Sequence, residues 1–366
     1  MLPVHAPQVL VAPTTPRPAR LPSLTGLRFI AAFAVFGFHV HTGGLVDEGP
    51  IGTAFAWVFD RGAAGVSFFF ILSGYVLAWS ARPDDTAAQF WRRRAAKIYP
   101  NHLATWVIAL VGVMATGAAL SVTIAVSNVL LIQAWSPDAD VYFGMNTVSW
   151  SLACELFFYA LFPVLYHGLK RLPGRALWPA ALGAMALILL VPVAAQALPE
   201  THRYWAIWVL PVARLPEFAL GMVLARVVLS GRWPALAIWH TVVLTAVAYV
   251  VSRWLPWDFR IVASTAIPLA LLIAAVGASD AINRQSFLRS RWAVWLGEIS
   301  FAFYLLHHLC LRLIAKAVGT EHSALVELAV AMAALGITVV LSWLLYRYLE
   351  TPAMRRLANP RRAGAR

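Results

Sequence analysis

The sequence predicts an all-α integral membrane protein, a bundle of about ten transmembrane helices with both termini in the cytoplasm. Three observations carry that prediction. The chain is 61% hydrophobic and only 12% charged, with a mean hydropathy of +0.72, which lies outside the range of soluble globular domains. Its apolar stretches have the length, about 20 residues, that a hydrocarbon core requires. With the spans placed accordingly, 21 of the 29 Lys and Arg residues fall on one side and five on the other. Cytoplasmic loops collect Lys and Arg, so the majority side is the cytoplasm.

In chain order, residues 1–20 carry five prolines and no apolar core of signal-peptide length, and read as a flexible cytoplasmic tail. The membrane domain covers 21–350, with spans over 24–42, 62–80, 98–117, 149–168, 176–196, 204–229, 235–253, 261–280, 293–316 and 324–348. The first run lacks a small-residue cleavage site and is read as a retained helix. The stretch from Leu120 to Trp135 is short and broken by Ser121, Thr123, Ser127, Asn128 and Gln133, so it reads as an interfacial or re-entrant helix on the outer side. Counting it as a span would reverse every later loop and put Lys170, Arg171 and Arg175 outside. Residues 351–366 form a basic cytoplasmic tail.

Topology accounts for the net charge of +13, and nucleic-acid binding gains no support from it. Cys154 and Cys310 both fall in apolar segments, so neither a disulfide framework nor a metal site is indicated. The lipid bilayer, in a multi-pass arrangement in the plasma membrane, is the first expected partner.

Charge inside a span is expensive, which makes each such residue a functional candidate. Arg28 and His39 lie in the first span, 11 residues apart. At 100° and 1.5 Å per residue they share one helix face and stand about 16 Å apart along the axis. Glu155, entering from the outer side, is expected at the depth of His39, where a carboxylate would orient the imidazole as a base. The run Arg92-Arg93-Arg94-Ala95-Ala96-Lys97 places four cations at the cytoplasmic mouth of the third span, suited to the phosphates of a nucleotide-bearing donor. The competing reading makes them topology determinants that bind headgroups. Ser73-Gly74 in the second span permits close helix approach, and Ser73 lacks a nucleophile elbow. Arg214 and Glu217, flanking Pro216, read as an internal ion pair at a broken helix. His307 and His308 point about 100° apart, so one is expected to line a cavity while the other packs. Cys154 beside Glu155 reads as an inert buried thiol.

Several of these motifs resemble the acyltransferase family 3 membrane proteins, which include polysaccharide O-acetylases and macrolide 3-O-acyltransferases. The resemblance runs from Leu24 to about Arg355: Leu24-Thr25-Gly26-Leu27-Arg28 with His39, Phe70-Ile71-Leu72-Ser73-Gly74-Tyr75, and the Arg-rich run ending Ile98-Tyr99-Pro100. Further along it takes in Trp150-Ser151-Leu152 with Glu155, Arg214 with Pro216-Glu217-Phe218, Tyr304-Leu305-Leu306-His307, and Glu350 with Pro352. It implies transfer of an acyl group, acetyl above all, from cytoplasmic acyl-CoA to a hydroxyl of a carbohydrate or macrolide-type natural product. Arg28, His39 and Glu155 take the catalytic positions, and Arg92, Arg93, Arg94 and Lys97 the donor-binding ones. The family's Arg-x-x-Arg element is matched by Arg94 and, as a departure, Lys97. Acyl-CoA is a co-substrate, with no bound cofactor or metal. Attack directly on the thioester or through a transient acyl intermediate both remain open. So does a rival from another class, a transporter or flippase for a lipid-linked sugar or metabolite, lined by the same buried charges. The Ala, Arg, Gly and Pro usage fits a GC-rich bacterial genome.

Overall fold

The computed structural model describes residues 20–358, apart from 47–48, 83–84, 116, 118, 120, 235, 261 and 320–321. Residues 1–19 and 359–366, most of the two expected tails, lie outside the described residues. Helices run in the order α1 Pro22–Thr42, α2 Gly49–Phe59, α3 Ala64–Trp79, α4 Ala87–Ala115, α5 Val122–Val129, α6 Ala139–Tyr142, α7 Trp150–Arg171 and α8 Leu177–Ala195. They continue with α9 Glu200–Tyr204, α10 Pro211–Leu229, α11 Ile238–Val251, α12 Trp257–Arg260, α13 Ala266–Ala281, α14 Arg291–Val318, α15 Ala324–Leu345 and α16 Thr351–Ala358. Each of the ten expected segments is helical. Among the described residues, eight helical stretches are long and apolar enough to cross a membrane. The other two expected segments hold helices of 14 and 16 residues, α11 and α13.

Three boundaries differ from the sequence reading. Helix α4 starts at Ala87, so the Arg92–Lys97 run is the first part of the spanning helix and not a loop before it. The stretch expected at 204–229 breaks at Leu210, where a π-helical turn over Trp205–Val209 gives way to Pro211 at the first position of α10. Proline lacks an N–H and fits that first position, so it restarts the helix instead of continuing it. Part of the expected C-terminal tail is ordered: a π-helical turn over Tyr346–Glu350 leads from α15 into α16.

Helix α1 packs on α14 and α3, and α3 in turn on α10. Lipid tails are as apolar as leucine, so such contacts depend on small residues that let backbones approach. At the α3–α10 crossing a Cβ on Gly74 would strike the Phe218 carbonyl oxygen, and one on Gly221 would strike that of Ile71. At the α1–α14 crossing a Cβ on Gly297 would strike the Thr25 carbonyl.

The start of α1 is held from outside itself. Leu21 at its N-cap offers no side-chain acceptor, and instead Asp280, near the end of α13, accepts from the backbone N–H groups of Ser23 (2.8 Å) and Leu24 (3.2 Å). Those N–H groups have no partner within the helix and would be costly to bury unbonded. Arg214 and Glu217 form the ion pair expected from their spacing, at 2.9 Å and fully buried. The guanidinium also bonds Ser67 Oγ (3.0 Å) and lies over the rings of Phe70 (5.2 Å) and Trp208 (4.7 Å). It thereby ties α10 to α3 and to the turn that precedes it.

Candidate active site

Two cavities meet end to end in the bundle. The wider, about 700 Å³, lies where α3, α4, α7 and α16 approach one another, and its wall carries Arg82, Arg93, Arg94, Lys97, Lys170 and Arg355. The narrower, about 160 Å³, continues from it along α1, α3, α7 and α14 and is lined by Arg28, Ser73, Glu155, Tyr159 and Tyr304. Leu77, Arg94 and Lys97 belong to both walls. The two therefore form one passage with a basic mouth and a mostly apolar inner end.

The four cations of the Arg92–Lys97 run are not equivalent. Arg93 is held bidentately by Asp85, and Lys97 by Glu350, whose other oxygen accepts from Asn101. Arg94 forms no ion pair among the described residues; it lies over the Phe90 ring at 5.8 Å and faces both cavities. Arg92 is exposed and lines neither cavity, because it sits about 100° round the helix from Arg93. A single four-cation clamp is thus replaced by Arg94 together with Arg82, Lys170 and Arg355. Those three look like ordinary topology charges in the sequence, and only the fold brings them to one wall.

Arg28 lines the narrow cavity and makes no hydrogen bond or ion pair within the described residues. Glu155 lies on the same wall and accepts from the Tyr159 hydroxyl at 3.1 Å. Tyr159 in turn lies 3.2 Å from Ser73 Oγ. Glu155 is therefore at the level of Arg28, and the expected His39–Glu155 pair does not form. The reason lies in the loop before α7. Residues Asn146, Val148 and Ser149 are buried, and so is Trp150, the first residue of α7. The helix begins below a covering loop instead of at the surface, which shifts Glu155 toward the basic end.

The partner of His39 is His307. Their rings are 5.0 Å apart, with Nδ1 of His39 3.0 Å from Nε2 of His307. His39 Nδ1 also lies 3.0 Å from the Val35 carbonyl. The ring of His308 stands edge-on to His39 at 4.8 Å. Both neighbours on α14 thus flank His39, and neither lines the two cavities, where one of them was expected to line a cavity while the other packed; the imidazole of α1 inserts between their diverging side chains. One turn below, the Tyr304 hydroxyl meets Ser151 Oγ at 2.9 Å and forms the inner wall of the narrow cavity. His39 lies beyond that wall.

The arrangement provides cations for an anionic group at one end, a guanidinium part way in and a half-buried imidazole beyond, the guanidinium and the imidazole Nε2 both without a partner among the described residues. Cys154 takes no part: it is fully buried and its Sγ faces the Val209 carbonyl at 3.2 Å. Ser73 is bonded to Tyr159 and Gly74 is packed against α10, in keeping with a structural role for that pair.

Comparison with known proteins points the same way. A family model described as an acyltransferase domain matches residues 21–347. The chain is 39% identical to the acyltransferase MdmB of Streptomyces mycarofaciens, over 94% of its own length and 95% of that protein's. It is 28% identical to the exopolysaccharide production protein ExoZ of Rhizobium meliloti, covering 81% and 91%, and 22% identical to the O-acetyltransferase OatA of Staphylococcus aureus, covering 93% and 58%. No solved structure matches it. With a family model spanning nearly the whole helical bundle and a relative of this identity along both chains, the protein belongs to the acyltransferase 3 family and is an acyl-group transferase.

Proposed function

We propose that the protein is a plasma-membrane O-acyltransferase that moves an acetyl or other short acyl group from cytoplasmic acyl-CoA to a hydroxyl of a carbohydrate or macrolide-type natural product. The observation that carries this reading is the two-part passage: a basic mouth of about 700 Å³ leading into a narrow cavity past Arg28. That shape suits an elongated donor with phosphates at one end and an acyl group at the other. The name of one relative, an exopolysaccharide production protein, brings the carbohydrate class into view; the macrolide class rests on the resemblance of the motifs. The ten helical segments are taken as ten spans, with both termini on the cytoplasmic side because the basic mouth lies at the end where positive charge collects.

In this reading Arg94, Arg82, Lys170 and Arg355 receive the phosphates, and Arg28 donates to the pantetheine arm as it threads inward. The acyl end reaches His39, about 16 Å along α1 from Arg28, when the Tyr304–Ser151 wall between them gives way. His39 Nε2 takes the proton of the acceptor hydroxyl as its oxygen attacks the thioester carbonyl. The carbon–sulfur bond breaks, and the proton passes from His39 to the departing thiolate, giving ester and free CoA. Glu155 belongs to the donor side, where it holds the Tyr159 hydroxyl. Direct transfer is favoured because the Cys154 thiol lies outside both cavities, against the Val209 carbonyl, and Ser73 lacks a nucleophile elbow.

The test is purified protein in detergent with radiolabelled acetyl-CoA and a panel of sugar and macrolide acceptors. Labelled ester that depends on His39 and Arg28 is the expected result. Flux of a solute across vesicles with no labelled ester would overturn it in favour of a transporter.

A further inference from the structure

We infer that His307 is a positioning residue that fixes His39 as its Nδ1–H tautomer and leaves the lone pair of Nε2 for the acceptor hydroxyl; the inference rests on the reading of His39 as the base. It follows from the hydrogen-bond chain, read from its far end. His307 Nδ1 lies 2.6 Å from the Tyr304 carbonyl oxygen and 3.3 Å from that of Phe303. A carbonyl oxygen only accepts, so the proton of a neutral His307 is on Nδ1 and its Nε2 carries the lone pair. That Nε2 is 3.0 Å from His39 Nδ1, which also faces the Val35 carbonyl at 3.0 Å. Two acceptors converge on one nitrogen, so His39 carries its proton at Nδ1. Its Nε2 has no partner among the described residues and is the basic atom.

The two acceptors do different things. The Val35 carbonyl belongs to the same helix, one turn back, and alone would leave the ring free to rock about χ2. His307 comes from α14, is fully buried, and lies parallel to the Phe303 ring at a centroid distance of 6.0 Å. It fixes the ring plane from a second helix. When Nε2 takes a proton, the Nδ1–H of His39 becomes a charged donor, and its bond to a neutral imidazole strengthens. His307 thus does for His39 what a carboxylate does for the histidine of a catalytic triad, without adding a second charge to the membrane interior.

Two measurements test this. Solid-state ¹⁵N spectra of histidine-labelled protein in lipid bilayers, with His39 assigned by difference from His39→Ala, should show His39 protonated at Nδ1 and bare at Nε2. A His39 protonated at Nε2 overturns the inference whatever the activity. In kinetics, His307→Leu removes the acceptor and is expected to lower kcat by ~10²-fold with KM for acyl-CoA unchanged. His307→Gln places an amide oxygen near the lost Nε2 and should restore kcat to within about tenfold of wild type. Wild-type kcat in His307→Leu, or equal loss in both variants with unchanged melting temperatures, also overturns it. If His307→Leu does not fold, the wild-type spectrum decides alone. Failure of the base reading looks different: His39→Ala stays active while the Nδ1–H tautomer is still observed.

Discussion

Around Arg28 the wall carries charged and phenolic side chains, Arg94, Lys97, Glu155 and Tyr159, among serine hydroxyls, with Glu350 behind Lys97. Around His39, three helical turns along α1, they are imidazoles tied to main-chain carbonyls. The difference follows from what each end has to bind. A mouth that opens toward water can keep cations exposed enough to meet an anion and can neutralise the surplus with carboxylates. Deeper in the bundle an isolated charge costs several kcal/mol, so a proton acceptor there is best kept neutral and aimed by geometry. The basic end is thus built from charge, and the far end from orientation.

Substitutions at the two ends should fail in different ways. The largest effect is expected for His39→Ala: loss of a general base lowers kcat by ~10²–10⁴-fold, with KM for acyl-CoA nearly unchanged in initial-rate assays. Next, Arg28→Ala removes a charge-assisted donor worth about 1.5–3 kcal/mol, so kcat/KM for the donor should fall by ~10- to 10²-fold. If KM were unchanged and only kcat fell, Arg28 would belong with His39 and the division between the ends would collapse. Arg94→Ala should raise KM for acyl-CoA by ~10-fold and leave the maximal rate in place. Raising the salt concentration should mimic it, because a water-facing phosphate contact is screened. At the bottom of the scale, Cys154→Ala should stay within about twofold of wild type in the same assay, since the thiol faces the Val209 carbonyl in the turn before α10 and lines neither cavity.

The long apolar helices were legible in the sequence because a bilayer imposes length and composition together, whereas ends such as the start of α4 at Ala87 and the break at Leu210 were not. The spacing of Arg28 and His39 was legible too: 11 residues are three turns, with Arg28 lining the narrow cavity and His39 meeting α14. Glu155 was misplaced because hydropathy marks where an apolar run begins and cannot tell that Trp150 begins beneath a covering loop. The cation set was half legible. Periodicity separates Arg92 from Arg93 and Arg94, yet no local pattern shows that Asp85 and Glu350 will take up Arg93 and Lys97, or that Arg355 from the C-terminal helix will join Lys170 from α7. His307 carried a signal, an ionisable residue in mid-span, but its partner could be known only once α1 and α14 crossed.

The cap that Asp280 supplies to α1 has a mechanical consequence. A helix pinned at one end is a lever whose angular setting is inherited from whatever pins it. Arg28, about a turn and a half from the pin, takes its direction from α13, while His39 sits far enough out that a few degrees of over- or underwinding would swing its ring off line. The contact with His307 is a second bearing toward the other end of that lever, and the two candidate residues of α1 are registered against different helices.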